Sequence, residues 1–233
     1  MRVKLTNQAG QTYGGTQWGP DVTHTATGGG LSLCSDGWIH CYRSPLEAVL
    51  FNPMGADFAN PRAWTIRTHG PTFSDVGKMG AKTVTTLREV PLPVVTSNAR
   101  IRWSILVCLA AQDDLPGGWE AWADAWLSGD DRSLASARAA RNVAYLAYRK
   151  DIGARTSFYT AAAAAALSRT LCAGYAAAAV YVAVRQLVDS QTEPPPDFMR
   201  LARQAIRAEV RLGVKGGCRD AECAKYLTQQ RQK

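Results

Sequence analysis

Cys34-Ser35-Asp36-Gly37-Trp38-Ile39-His40-Cys41-Tyr42-Arg43-Ser44-Pro45-Leu46-Glu47-Ala48-Val49-Leu50-Phe51 joins a turn, an apolar strand and a capped helix within eighteen residues. Ser35-Asp36-Gly37 reads as a turn, because Ser and Asp hydrogen-bond nearby backbone and Gly tolerates left-handed angles. Trp38 to Tyr42 alternates large apolar and polar groups with period two, as a half-buried strand does. Ser44, Pro45 and Glu47 then supply an N-cap, a proline at the first helical position and a capping-box acid. Because strand side chains alternate, His40 and Tyr42 share one face. They are either part of a site or a half-buried histidine beside a packing tyrosine.

The chain changes character near residue 96. Before it, Arg2 to Thr6, Val22 to Thr27, Ala63 to Thr68 and Lys82 to Val90 are β-rich and separated by Gly, Pro and Asn, the pattern of an antiparallel sheet with loops. After it, Thr96-Ser97 caps a helix to about Ala111, Pro116 opens a second that ends at Gly129, and Asp130-Asp131 cap a third to about Gly153. A fourth is expected from about Ser157 to Val188. Pro194-Pro195-Pro196 stiffens a linker, Asp197 caps a fifth helix, and Gly213 stops it. The expected fold is α+β: a mostly antiparallel β domain with a short helix over 1–95, then an alanine-rich helical bundle over 96–233 with a proline-rich linker near 190–197.

Ala161 to Ala166 and Ala176 to Ala179 favour helix strongly but offer little apolar area each, so they imply close backbone packing against large partners. Trp119, Trp122 and Trp126, three and four residues apart, supply those partners on one helix face. A base-stacking role would instead require those rings to be exposed.

With 233 residues and 46% hydrophobic content, the chain is long enough for a core in one large or two small domains. The start lacks the pattern of a secretory signal. The uncharged run between Arg169 and Arg185 is fifteen residues, short of the roughly 18 to 20 that span a bilayer, so a soluble protein is expected. The six cysteines do not form a disulfide framework. Cys108 and Cys172 read as buried thiols. Cys34, Cys41, Cys218 and Cys223 with His40 miss the tight pairs of zinc sites, so no metal is expected.

Net charge is +8, and it is unevenly distributed. Residues 113 to 131 hold six acids and no base, whereas 132 to 188 hold eight bases and one acid. The acidic segment is expected to pack beside the basic helices. In the fifth helix Arg200, Arg203, Arg207 and Arg211 form one stripe opposite Phe198, Leu201, Ala205 and Leu212. Such a stripe is a solvated face, or it meets the acidic segment, a nucleic acid or an acidic protein surface. No helix-turn-helix, finger or RNP motif marks a nucleic-acid reader. Phosphate loops, dinucleotide fingerprints and serine-histidine-acid patterns are also missing, and Gly28-Gly29-Gly30 reads as a flexible loop.

Four segments carry a resemblance: Leu33 to His40, Pro45-Leu46-Glu47-Ala48-Val49-Leu50-Phe51-Asn52-Pro53, Asn60-Pro61-Arg62-Ala63-Trp64 and Leu87-Arg88-Glu89-Val90-Pro91-Leu92-Pro93. In order and spacing they resemble a family of uncharacterised proteins encoded largely by bacteriophages of actinobacteria, over residues 30 to 110. That resemblance implies a phage or prophage origin and the cytoplasm of an infected bacterium, without an activity.

A second likeness is one of layout. Thr12-Tyr13-Gly14-Gly15-Thr16, then Gly37 to His40 before the helix, then a late strand carrying Glu89, follow the order of ADP-ribosyltransferase-like folds. That layout implies a site of His40, Tyr42, Glu89 and Tyr13 acting on NAD, with Glu89 steadying an oxocarbenium-like ribose. No arginine follows Tyr13, and Leu87 stands where a second polar residue is usual. The leading expectation is an accessory, host-interaction protein without a cofactor that binds a host or phage protein, or nucleic acid, and no membrane, through its basic helices. The alternative is an NAD-using enzyme of the second likeness.

Overall fold

A long hairpin organises the amino-terminal part of the chain in the computed structural model. The structure describes residues 1–112, 114–151, 154–190 and 195–216, with side chains to Leu212. By its internal contacts the chain divides into Met1–Pro93 and Val94–Lys233.

In the first unit, strands β4 (Arg62–Asp75) and β5 (Lys78–Val90) pair antiparallel. Strand β1 (Val3–Thr6) lies on the free edge of β4, while β2 (Thr23–Thr25) and β3 (Ile39–Cys41) share the other edge of β5, opposite Thr83–Thr85 and Met79–Ala81. Val3 then exchanges two backbone hydrogen bonds of 2.9 Å with Tyr42, the residue after β3. The ring β1-β4-β5-β3 is thereby closed into a small barrel, which covers edges that would otherwise be open to pairing.

Closure needs bending, and the strands supply it. The register slips between His69 and Thr72, where Gly70 adopts φ +73°, and again between Trp64 and Ile66. The sequence suggests that the strands stop at Thr68 and restart at Lys82. Gly70-Pro71 is instead a bulge inside one continuous strand. Helix α1 (Pro45–Phe51) is capped as expected: Ser44 Oγ accepts from the Glu47 amide at 3.1 Å, and Glu47 Oε2 accepts from the Arg43 amide at 2.6 Å. Glu47 is buried and ion-paired with the Arg43 guanidinium. Trp18, Cys41, Met79, Ala81 and Val84 form one core cluster of this unit.

In the second unit, Thr96 caps α2 (Ser97–Ala111), with its hydroxyl accepting from the Ala99 amide at 3.1 Å. Helix α2 buries residues all round, including Ile101, Trp103, Ile105, Val107 and Cys108 together with Arg100 and Arg102, and packs against α5, α6 and α7, as a helix at the centre of its unit does. The boundaries that follow differ from the sequence reading. Helix α3 is Trp119–Ser128, since Gly118 with φ +79° stands at its N-cap and delays it past Pro116. Ser133, not the aspartates, caps α4 (Leu134–Lys150). The expected fourth helix is two, α5 (Arg155–Ala164) and α6 (Arg169–Ser190). Ser168 ends the alanine run by capping α6, its hydroxyl accepting from the Leu171 amide at 3.2 Å. Asp197 caps α7 (Phe198–Gly216) as expected, but the helix continues through Gly213.

Trp119, Trp122 and Trp126 are buried among Ala137, Ala140, Ala144 and Ala161, the aromatic filling that alanine helices require. Helix α6 has 22 residues and holds an 18-residue stretch of mean hydropathy 1.5, enough in length and composition to cross a membrane. Its buried Cys172, Ala176, Ala177, Val180 and Val184 pack into the bundle, and 39% of its most apolar stretch is buried there. Asp113, Gly153, Pro194, Cys218 and Cys223 lie outside the described residues.

Candidate functional site

Three of the residues singled out from the sequence, Tyr13, His40 and Tyr42, line one cavity of 320 Å³ in the barrel unit. β3 presents His40, the closing bridge positions Tyr42, and the turn Tyr13–Gly15 contributes Tyr13 to the lining. Tyr13 is largely exposed; its hydroxyl donates to the Ala56 carbonyl at 2.9 Å, and its ring stacks on Phe58.

His40 Nε2 donates to the Leu33 carbonyl. Burial holds the His40 pKa below its ordinary value; the Leu33 bond opposes this in part, and the positive charges of Lys78 and Lys4 reinforce it. The imidazole is therefore neutral at neutral pH. Burial first, then the Glu47 charge, raises the Tyr42 hydroxyl well above the ordinary tyrosine range, so it serves only as a neutral hydrogen-bonding group.

Glu89 is not part of this cavity. It stands at the far end of β5, nine residues along the strand from Gly80, the partner of His40 (89 − 80). Its carboxylate is clasped by Arg62 through Nε–Oε1 at 3.0 Å and Nη2–Oε2 at 2.6 Å, and Arg62 holds it below the usual carboxylate range. The structure does not bring Glu89 to the other three residues: nine residues of extended strand, at about 3.3 Å each, lie between it and the partner of His40.

The cavity contains lysines in place of that carboxylate. Lys4, 8% exposed, donates from Nζ to the His40 carbonyl at 2.8 Å and stands over the Trp18 ring. Burial pushes its pKa down. Lys78 Nζ donates to the exposed Cys34 Sγ at 2.8 Å. Lys4 passed unnoticed in the sequence because Val3-Lys4-Leu5-Thr6 looks like an ordinary alternating edge strand, yet all four residues are buried.

The helical unit holds the second candidate. Arg200, Arg203, Arg207 and Arg211 are all exposed on one face of α7, and none makes an ion pair among the described residues. The opposite face buries Leu201, Ala202 and Ala205, and with them Glu209. Glu209 accepts from Arg102 Nε at 2.5 Å and from Arg132 Nη1 and Nη2 at 3.0 and 2.9 Å. Both guanidiniums also face the Trp126 ring. This network, absent from the sequence reading, aims the stripe outward: at about 100° per residue, Glu209 lies half a turn from Arg200. A separate groove of 510 Å³ between α4, α5 and α6 is bordered by Arg138, Arg141, Tyr145, Phe158, Leu167 and Leu171. No protein-family model, no curated protein and no solved structure matches the chain.

Proposed function

We propose that this is a bacteriophage accessory protein that binds an anionic macromolecular partner, a host protein or a nucleic acid, through the basic surface of its helical unit in the host cytoplasm. The observation that carries this reading is the outward row of Arg200, Arg203, Arg207 and Arg211, unpaired among the described residues and backed by the Glu209 network. From Arg200 to Arg211 the row extends about 16 Å at about 1.5 Å per residue, too long for a single small anion and suited to an extended one. Neighbouring guanidiniums about 6 Å apart in water repel by about 0.7 kcal/mol per pair, a cost that an anionic partner relieves.

An acidic protein surface fits better than nucleic acid at one point. The groove in the same unit exposes Tyr145, Leu167 and Leu171 beside Arg138 and Arg141, a mixture of aromatic, apolar and arginine side chains that suits protein hot spots. The phage setting rests on the resemblance over residues 30 to 110. The NAD-using alternative lacks support, since no carboxylate lines the cavity that Tyr13, His40 and Tyr42 share.

The test is titration with a labelled mixed-sequence oligonucleotide over a range of salt. Nucleic-acid binding gives affinity that falls steeply with salt, with the slope reduced by about one unit per phosphate contact removed in Arg203→Ala and Arg207→Ala. A protein partner is bound instead with weak salt dependence, and with the loss concentrated at one or two arginines. If neither the oligonucleotide nor an acidic protein probe binds, the proposal fails.

A further inference from the structure

We infer that the cavity in the barrel unit binds a small organic anion, a carboxylate or phosphate carried on a flat ring, whose charge meets Lys4 and Lys78 and whose ring meets Tyr13 and Phe58. The cavity is separate from the basic helical surface, and nothing in the inference depends on macromolecular binding.

The first ground is Lys4. A buried ammonium loses several kcal/mol of hydration unless its charge is compensated. Among the described residues no carboxylate pairs with Lys4; one of its three donors has a hydrogen-bond acceptor, the His40 carbonyl at 2.8 Å, and the Trp18 ring at 5.3 Å offsets the charge only in part. An apolar residue at this position would avoid that cost, whereas a charged group facing a cavity is what recognition of an anion needs.

Lys78 lies on the same cavity, also without a carboxylate partner among the described residues. No aspartate or glutamate lines the cavity, so its two charged side chains are both positive. The same two charges add to burial in holding the His40 pKa down.

The remaining walls set the other half of the ligand. Tyr13 and Phe58 stack at 6.1 Å, and Met54 adjoins them. Aromatic and thioether groups beside paired ammoniums favour a flat apolar ring bearing an anionic head. At 320 Å³ the space suits one small molecule.

Cys34 supplies a reporter, because its exposed thiol sits 2.8 Å from Lys78 Nζ at the same cavity. The experiment measures alkylation of Cys34 by iodoacetamide on the full chain, resolved by peptide mass spectrometry. The probes are inorganic phosphate, benzoate and adenosine monophosphate, with benzamide and adenosine as uncharged controls.

At ten times its Kd, benzoate or adenosine monophosphate should slow labelling about tenfold, following the fraction of empty sites; inorganic phosphate, lacking a ring, should protect less at equal concentration. The ratio of rates with and without probe should return to one in Lys4→Met and in Lys78→Met. If Lys4→Met fails to fold by circular dichroism, the part-exposed Lys78→Met decides. Unchanged labelling with all three anions overturns the inference. So does equal protection by benzamide or adenosine, or full protection retained in the folded lysine variants.

Discussion

Replacing Glu209 with glutamine keeps the shape of the side chain and removes its charge from a site closed to water. Glu209 and Arg102 are 9% and 8% exposed, and the carboxylate accepts bonds from Arg102 Nε at 2.5 Å and from two nitrogens of Arg132 at 2.9 and 3.0 Å. Arg132 is less buried, at 23%, and can be rehydrated; Arg102 cannot. Removing one member of a buried ion pair leaves the other uncompensated, at a cost of about 3–5 kcal/mol. The lower end applies here, because the Leu127 carbonyl still accepts from Arg102 Nη2 at 2.7 Å and the amide oxygen can accept one more bond. A loss of about 3 kcal/mol corresponds to a fall in Tm of about 10 °C for a unit of this size. Urea and thermal unfolding followed by far-ultraviolet circular dichroism measure it, since helices of this unit dominate that signal. Converting the network to apolar residues, Arg102→Met with Glu209→Leu and Arg132→Met, should restore most of the stability. A Glu209→Gln loss below about 1 kcal/mol would refute the burial argument, because that is the worth of an exposed pair.

Cys34 should react with a thiol reagent in the native protein, whereas Cys41, Cys108 and Cys172, buried and with thiols pushed up to about 11, 12 and 11, should react only on unfolding; native labelling of those three at the Cys34 rate contradicts their packing. Gly77→Ala combines φ +74° with a Cβ only 2.4 Å from the buried Phe51 ring, and should cost about 2–4 kcal/mol in urea unfolding. Gly70→Ala, at φ +73° with nothing nearby, should cost about 1 kcal/mol, so equal costs sink the steric explanation. His40 has a lowered pKa in the fold, so the unfolded chain binds its proton more readily and stability falls as pH drops below about 6.5. His40→Gln should therefore lose less stability than the native protein between about pH 7 and pH 5. Identical losses would remove His40 from that account.

Local signals were legible wherever the physics is local. Ser44, Thr96 and Asp197 act as caps because a hydroxyl or carboxylate three residues before an amide reaches it whatever the rest of the chain does. The tryptophans of α3 were readable as core because alanine helices leave space that only large side chains fill. Gly70-Pro71 and Gly213 misled, since a glycine that punctuates a sequence can equally bend a strand or ride inside a helix. The break between α5 and α6 was hidden by alanines on both sides, with only Ser168 to mark it. Barrel closure depends on Val3 meeting Tyr42 across 39 residues (42 − 3), a long-range pairing with no local signature. Within the candidate sites, the exposed arginines followed from helical period alone. Glu209 could have been noticed as the acid on their opposite, apolar face. Lys4 could not, because β1 is buried on both sides only once the barrel closes.

The most direct measurement of the central claim is fluorescence anisotropy of the full chain with two anionic probes, a mixed-sequence oligonucleotide and polyglutamate. It compares the native protein with the folded variant Arg200→Ala, Arg203→Ala, Arg207→Ala, Arg211→Ala. The native protein should bind at least one probe at low salt. The four-arginine variant should bind it at least about tenfold more weakly, a loss of about 1.4 kcal/mol. Absence of binding to both probes at low salt, or equal binding by the variant, would contradict the assignment of the α7 face as an interface for an anionic partner.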